Sequence, residues 1–155
     1  MKSWKTLALA CAASAALFAA PAYANECPAD QVVAATQTGA PTQPSGVTDT
    51  VIASIDLGAG YGLPGRQLRM RRLVVQPGGV VPVHSHGERP ANIYIVSGEI
   101  TEYRSTCAAP ITHRAGEVAV ESGDLTHWWR NNSRRETVLI SADLPPPEMA
   151  NAGSN

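Results

Sequence analysis

Two histidines, His84 and His86, are separated by one residue within an apolar segment at residues 80–86. On a β-strand successive side chains point to opposite faces, so this spacing directs both imidazoles to the same side. Neutral imidazole is a common ligand for transition metals, and two imidazoles on one face form half of a metal site. Alone the pattern is weak evidence, because such a pair is often simply two polar residues beside a loop.

A third histidine, His127, lies near the start of another β-type segment at residues 126–130. A shorter segment at residues 118–121 precedes it, and Gly123 lies in the turn between the two. A hairpin of this kind can bring His127 back to face the first pair. The sequence therefore predicts a site in which three histidines bind one divalent transition-metal ion.

The elements that must position these histidines are short β-type segments separated by turns rich in Gly and Pro. The predicted strands are residues 51–57, 67–76, 80–86, 92–96, 99–104, 118–121, 126–130 and 137–142. Many short strands with almost no helical periodicity indicate an all-β sandwich or barrel.

The segments around the histidines resemble the two sequence motifs of the cupin family. The matching residues of the first motif are Gly78, His84, His86 and Gly98, and those of the second are Gly116, His127 and Asn131. The resemblance covers roughly residues 66–142. It implies an all-β fold, a single antiparallel jelly-roll barrel with the metal in its mouth, which follows an irregular N-terminal arm in this chain. It also implies a homodimer, because cupins often pair through their edge strands.

The chain departs from the family pattern at the carboxylate ligand. The family usually carries Glu seven residues before the turn glycine, and this chain has Ala91 there. Three neutral imidazoles leave the charge of a divalent ion uncompensated, so open positions would hold water, an anion or a substrate oxygen. Nitrogen ligands suit Zn, Mn, Fe, Ni or Cu without choosing among them. The second motif also departs, with Ser122 and Asp124 where Pro and Gly are usual.

A fourth protein ligand could come from one of several residues near the histidines. The candidates are Glu88, Glu99, Glu121 and His113. Glu88 and His113 are favoured, because Glu88 follows the first histidine strand and His113 precedes Gly116. Either residue could instead be the catalytic acid or base, and the alternative for both is an ordinary loop or surface position.

Apolar side chains share the predicted interior with the histidines. Trp129 follows His127 by two residues and should point inward, whereas Trp128 should point away. Ile93 and Ile95 have the same parity as Ala91. The pattern predicts an apolar pocket for a small-molecule ligand or substrate, although the same residues would equally fill a barrel core.

Several arginines fall on one predicted strand. Arg69 and Arg71 share one face, and Arg72 takes the other. The shared face could present guanidinium groups to an anionic ligand. The favoured interpretation is an outward, solvated face.

The first 24 residues have the features of a signal peptide. Lys2 and Lys5 precede an apolar stretch at residues 7–18, and small residues follow it. That stretch is shorter than the roughly 20 residues that a membrane-spanning helix needs. We expect a signal peptide at 1–24, the N-terminal arm at 25–49, the barrel at 50–147 and a flexible tail at 148–155. The mature protein would then be periplasmic or secreted, with no membrane attachment.

Charge and cysteine content constrain the partners. Without Lys2 and Lys5 the 12 basic residues become 10, against 13 acidic ones, a formal charge of −3. Such a chain lacks the basic surface of a nucleic-acid-binding protein, so no nucleic-acid partner is expected. In an oxidising compartment the two remaining cysteines, Cys27 and Cys107, are expected to form a disulfide, the alternative being two free thiols.

Three functions are compatible with these residues. The first is a metal-dependent enzyme of the oxygenase or lyase type that acts on a small molecule. The second is a non-catalytic module that holds a metal or a small ligand. The third is an exported structural domain whose histidines no longer bind metal.

Overall fold

A computed structural model describes residues 26–35 and 38–147 of the chain. The predicted signal peptide at 1–24 and the predicted tail at 148–155 lie outside the described residues. A short 3-10 turn at Ala29–Gln31 precedes the strands. The strands are β1 (Ser45–Asp56), β2 (Gln67–Ser85), β3 (Ala91–Ser97), β4 (Glu99–Arg104), β5 (Ile111–Arg114), β6 (Val118–Glu121), β7 (Thr126–Arg130) and β8 (Thr137–Asp143).

All strand pairs are antiparallel, and together they form a nearly closed barrel. The strand order is β5-β4-β7-β2-β8-β3-β6, and β1 adds to the side of β2. The predicted all-β antiparallel barrel is confirmed. None of the helices within the described residues is long and apolar enough to cross a membrane.

The structure differs from the sequence-based strand assignments at three places. β1 begins at Ser45, inside the predicted arm. The strands predicted at 67–76 and 80–86 are one strand, β2, which bends at Gly78 with φ of 76°. Glycine adopts such a φ at little cost, so the chain bends without leaving the sheet and changes its partner from β8 to β7. The four-residue strand β5 was not predicted.

Part of the barrel interior is packed with apolar side chains that alternate along the strands. On β3, Ala91, Ile93 and Ile95 are buried, whereas the residues between them are exposed, as the two-residue period of a strand requires. The other buried members of this core are Leu73, Val75, Ile100, Ala119, Trp129 and Leu139. Burying a large apolar side chain stabilises a fold by about 1.5–3 kcal/mol, so this core holds the strands that carry the polar groups described below.

The N-terminal arm is attached to the barrel. A disulfide joins Cys27 to Cys107, as predicted, across a sequence separation of 80 residues. Beside it the Val33 amide donates to the carbonyl of Thr106 at 3.0 Å, and the Ala108 amide donates to the carbonyl of Gln31 at 2.8 Å. Covalent and hydrogen-bonded attachments therefore occur at the same place.

The residue Asn131, which belongs to the second motif, fixes the turn between β7 and β8. Its buried Nδ2 donates to the carbonyls of Val75 at 2.9 Å and Arg135 at 2.7 Å. Its Oδ1 accepts a hydrogen bond from the Ser133 amide at 2.9 Å. This turn anchors β7, the strand that carries His127, against β2.

Candidate metal centre

Pairing between β2 and β7 brings two of the histidines together. His84 lies directly opposite His127, and Val81 lies opposite Trp129. Going from the first of these pairs to the second takes three steps along β2 but only two along β7. The extra residue of β2 forms a bulge. Without this bulge Val81 and His84 would point to opposite faces, because side chains alternate along a strand. With it, both side chains face the interior.

The fourth member of the cluster is Glu121, the last residue of β6. Its partner across the β3–β6 ladder is Ala91, the position where the family pattern expects a glutamate. Directly paired residues of neighbouring strands point to the same face, with Cβ atoms about 4.5–5.5 Å apart. The neighbouring strand therefore supplies a carboxylate close to the place from which β3 would have supplied it.

The side chains of His84, His86, Glu121 and His127 converge on a common point. Their ligand atoms all lie within 4.8 Å of one another, in an arrangement that could hold a metal ion. Nε2 of His84 and Nε2 of His127 are 3.3 Å apart. Glu121 Oε2 is 3.0 Å from His86 Nε2, and its Oε1 is 3.4 Å from His127 Nε2. Although it is that close to Glu121, the buried His86 Nε2 makes no hydrogen bond within the described part of the chain.

Each histidine of the cluster is held through its other ring nitrogen. Nδ1 of His84 lies 2.8 Å from the carbonyl oxygen of Pro82, and Nδ1 of His86 lies 2.8 Å from that of Arg89. A carbonyl oxygen only accepts, so both Nδ1 atoms carry a proton, and Nε2 of each neutral ring has its lone pair free. Such outer hydrogen bonds, which fix the tautomer and orient the ring, are typical of metal-binding histidines.

The outer partner of His127 is the buried carboxylate of Glu102 on β4, which accepts a short hydrogen bond from His127 Nδ1. Glu102 also accepts from His113 Nε2 at 2.8 Å and from Arg104 Nε at 2.9 Å. Burial opposes its ionisation, but the hydrogen bonds from His113 and His127 outweigh burial and hold the pKa of Glu102 well below its usual range. Nε1 of Trp129 is 3.1 Å from His127 Nδ1. Because the ionised Glu102 requires the proton on that nitrogen, we regard this as a packing contact.

In the absence of a cation, the surroundings of the four cluster side chains favour their uncharged forms. Burial, together with the neighbouring His127, lowers the pKa of His84 to about 3 and that of His86 to about 4. Burial and the nearby Glu102 raise the pKa of Glu121 well above its ordinary value. Neutral imidazoles are the form that binds metal, and a divalent cation would stabilise the ionised carboxylate. The donor set, three imidazole nitrogens and one carboxylate, fits a divalent transition metal.

A cavity of about 350 Å³ opens beside the cluster, and His84 and Glu121 form part of its wall. Much of the remaining wall is apolar, with Trp129 and Ile93 among its residues, as the sequence predicted. Trp128 points away and stacks on Tyr103 with ring centroids 4.0 Å apart. The two metal-ligand candidates are thus accessible to a small molecule.

The structure places the two favoured acid–base candidates outside the cluster. The Glu88 side chain is exposed, and its backbone carbonyl accepts a hydrogen bond from Arg66. His113 is fully buried, stacks on Trp129 with centroids 4.8 Å apart, and is hydrogen-bonded to Glu102, the outer partner of His127. The fourth-ligand candidate Glu99 is also exposed. Of the candidates, Glu121 is the one that joins the three histidines.

The interpretation of Arg69 and Arg71 as residues of a solvated outward face is wrong. Both side chains are nearly buried, 11% and 12% exposed, and both contact the buried carboxylate of Asp143. Only Arg72 lies on the exposed side. The even spacing of these residues correctly placed Arg69 and Arg71 together, but parity alone does not say which face is the inner one.

Sequence reasoning missed two buried carboxylates, Glu102 and Asp143. Each has the parity of a core residue: Glu102 follows Ile100 by two positions on β4, and Asp143 follows Leu139 by four on β8. A charged residue in phase with the buried residues of a strand was the available signal, because a buried charge is rarely left without a partner.

Comparison with known proteins agrees with this architecture. Residues 71–143 match the family model described as a cupin domain, and the protein therefore contains a cupin domain. No curated protein sequence matches the chain.

Solved structures with the same fold share little sequence with the chain. KdgF from Halomonas sp. is 15% identical with a TM-score of 0.52, over 64% of this chain and 79% of that one. A predicted oxalate decarboxylase from Thermotoga maritima is 13% identical with a TM-score of 0.52, over 74% and 99%. The cupin domain of Cnp3 from Schizosaccharomyces pombe is 11% identical with a TM-score of 0.52, over 71% and 72%. At these identities the similarity establishes the fold alone.

Proposed function

We propose that this protein is a metal-dependent enzyme of the oxygenase or lyase type that acts on a small molecule. His84, His86, Glu121 and His127 bind one divalent transition-metal ion, which is Zn, Mn, Fe, Ni or Cu. The observation that carries the proposal is the convergence of their ligand atoms within 4.8 Å beside a cavity of about 350 Å³. The orienting hydrogen bonds at all three Nδ1 atoms support it further.

In this enzyme, different residues would bind the metal, orient a ligand and position the substrate. The three imidazoles and the carboxylate bind the ion, and Glu102 orients His127. A divalent ion held by these residues would supply Lewis-acid activation of a small molecule in the adjoining cavity. The apolar wall around Trp129 excludes water and positions the substrate. Among the cavity-lining residues the carboxylates are Asp49 and Glu121, and Asp49 is bound to Arg71, so an independent general base is not evident there.

That same observation favours a second candidate function, a non-catalytic module that binds a metal and a small ligand. In that case the cavity would hold its ligand beside the ion without converting it. The two functions share the metal site and differ only in turnover.

The first experiment is elemental analysis of the untagged mature protein, compared with variants at the cluster. We expect about one equivalent of a single transition metal. The variants His84→Ala and Glu121→Gln should lose most of it, whereas Glu88→Gln should retain it because its exposed side chain lies outside the cluster. Failure of the wild type to bind metal even after reconstitution would overturn the proposal.

Turnover distinguishes the two candidate functions. The metal-loaded protein is incubated with a panel of small organic substrates while dioxygen consumption and the ultraviolet absorbance of newly formed double bonds conjugated with a carbonyl or carboxylate are monitored. Turnover that Glu121→Gln abolishes supports the enzyme. A metal-loaded protein that binds members of the panel but converts none of them is a binding module.

Export to the periplasm or the exterior is part of the proposal. The signal-peptide features of the first 24 residues and the Cys27–Cys107 disulfide support it, because structural disulfides persist in oxidising compartments. The homodimer implied by the family resemblance stays a prediction.

A further inference from the structure

The cavity beside the metal-ligand cluster also carries two arginines. Arg71 on β2 and Arg89, just before β3, both line it, together with His84 and Glu121. Their side chains are only 12% and 14% exposed. Guanidinium groups withdrawn from water to this extent need negative partners close by.

The negative partners present are too few for the arginines that share them. Buried Asp143 forms a bidentate salt bridge with Arg69. Arg69 Nε donates to Asp143 Oδ1 at 3.0 Å, and Arg69 Nη2 donates to Asp143 Oδ2 at 2.8 Å. Asp143 Oδ2 lies farther from Arg71 Nη2, at 3.4 Å, and from Arg89 Nε, at 3.7 Å. Arg71 also binds Asp49. Three guanidinium groups thus face two aspartates, and the third carboxylate near them, Glu121, belongs to the metal-ligand cluster.

The hydrogen-bonding capacity of the two cavity arginines is also incompletely used. Nε of Arg71 and Nε of Arg89 are buried and have no hydrogen-bond acceptor within the described part of the chain. Arg89 is the less well paired, since its contact with Asp143 is longer than a hydrogen bond. A guanidinium group that is withdrawn from water with donors unused costs free energy, and an anion that accepts from its accessible nitrogens would offset that cost. The planar guanidinium fork matches a carboxylate in particular.

The rest of the cavity limits what such an anion can be. Its walls include the apolar side chains of Val47, Leu73, Ile93, Trp129 and Leu139. At about 350 Å³ it lies at the small end of ligand pockets, which span roughly 300–1,000 Å³. A very short dianion would leave these apolar walls without a contact.

We infer that the ligand is a small organic acid with an apolar chain, whose carboxylate is hydrogen-bonded by Arg71 and Arg89. The hydrocarbon chain of this ligand lies against the apolar wall of the cavity and reaches the face formed by His84 and Glu121. The inference rests on the proposed function for the identity of this ligand as the substrate. The selection of a carboxylate, however, is a property of the arginines and holds with or without metal.

The test measures the binding of hexanoate, hexanamide and oxalate to the metal-free and the metal-loaded full mature protein, by calorimetry and tryptophan fluorescence. Hexanoate should bind with one-to-one stoichiometry and at least about tenfold more tightly than hexanamide, because hydrogen bonds to charged groups are the stronger ones. The preference should persist without metal, and hexanoate should bind more tightly than oxalate to the metal-free protein. Equal binding of the acid and its amide would overturn the inference, even if the metal site proves real.

Two variants of the same charge change locate the carboxylate. Arg89→Gln should reduce the affinity for hexanoate to near that for hexanamide, whereas Arg72→Gln, on the exposed side of β2, should leave it unchanged. Near-ultraviolet circular dichroism verifies the fold, and the acid–amide comparison on the wild type stands whether or not Arg89→Gln folds. A protein that binds no metal but prefers hexanoate would refute the proposed enzyme and retain the carboxylate site. Unchanged hexanoate affinity in folded Arg89→Gln would refute the site.

Discussion

At the scale of single residues, Glu102 connects the most groups of the candidate centre. It accepts hydrogen bonds from His127, His113 and Arg104 while it is fully buried. Its ionised carboxylate holds the proton on Nδ1 of His127 and thereby leaves Nε2 of that ring available. We therefore assign Glu102 a positioning role, since it acts on the proposed metal only through His127.

Replacing Glu102 by Gln should weaken metal binding by about 10–100-fold, the usual effect of losing an outer partner of a ligand histidine. Metal affinity measured by competition with a chelator checks the magnitude. The visible absorption spectrum of the Co²⁺-loaded protein should change as well, because the His127 ring reorients. Glu99→Gln, at an exposed position of the same strand, should change neither quantity. An unaltered spectrum and affinity in Glu102→Gln would show that His127 does not need this partner.

At the scale of elements, the register of β3 against β6 determines the source of the carboxylate ligand. Ala91 and Glu121 are paired across that ladder, and both side chains are buried in the interior. A glutamate at either position can therefore approach the three histidines. In the proposed site, Glu121 takes the place of the family glutamate from across a strand pair and not from along the chain.

Moving the carboxylate back should restore the site. Glu121→Ala alone should reduce the metal content of the purified protein strongly, and the double variant Ala91→Glu/Glu121→Ala should recover most of it. The double variant keeps the number of buried carboxylates unchanged, which limits the effect on stability. Elemental analysis of the wild type, Glu121→Ala and the double variant measures the metal content that checks this recovery. If the double variant stays metal-free while its unfolding midpoint matches that of Glu121→Ala, the two positions are not equivalent.

The elements also show what sequence could and could not predict. The short strand-like segments predicted a sandwich or barrel, and the resemblance of the glycines and histidines to the cupin motifs implied the single barrel and the three-histidine site. Which glutamate joins them was not predictable, because strand register depends on the packing of the whole sheet. Parity could not reveal the inward face of Arg69 and Arg71, since β2 bends at Gly78 and bulges before His84. Strand β5 has four residues, too few for a periodic signal.

At the scale of the whole molecule, the disulfide joins the N-terminal arm to the segment between β4 and β5. A cross-link over 80 residues removes many conformations from the unfolded chain. Replacing both cysteines, as Cys27→Ser/Cys107→Ser, should lower the free energy of unfolding by about 2–5 kcal/mol. Urea unfolding of the oxidised wild type and of the double variant measures the difference. Reduced wild type is the control and should resemble the variant; equal midpoints for all three would contradict the expectation.

The buried cluster should also make the metal-free protein sensitive to acid. The pKa of His84 is about 3 and that of His86 about 4 in the folded chain, against an ordinary value of 6.5. Below pH 6.5 the unfolded chain therefore binds protons that the folded chain does not, so stability falls as the pH falls toward 4. Each histidine adds a slope of up to about 1.4 kcal/mol per pH unit. His127, whose pKa burial also lowers, adds to this slope, and Glu121, whose pKa is raised, opposes it above pH 4.5.

Urea unfolding of the chelator-treated protein at pH 7 and pH 5 checks this dependence. The midpoint should be lower at pH 5, and His84→Gln should show a smaller difference between the two pH values. Saturating metal should stabilise the wild type at pH 7 more than at pH 5, because the Glu121 carboxyl, whose pKa is raised in the metal-free protein, must lose its proton to bind the ion. A midpoint that is equal or higher at pH 5 would contradict the prediction.

The single strand β2 carries both Arg71 and His84, on either side of its bend at Gly78. The guanidinium that would bind a carboxylate and the imidazole that would bind a metal are thus joined by one continuous backbone, hydrogen-bonded to β8 before the bend and to β7 after it. Their separation is built into the sheet and does not depend on the closing of a loop. β2 therefore fixes the distance between the two binding groups. In a homologous series of carboxylic acids, the protein should bind one chain length more tightly than both shorter and longer members.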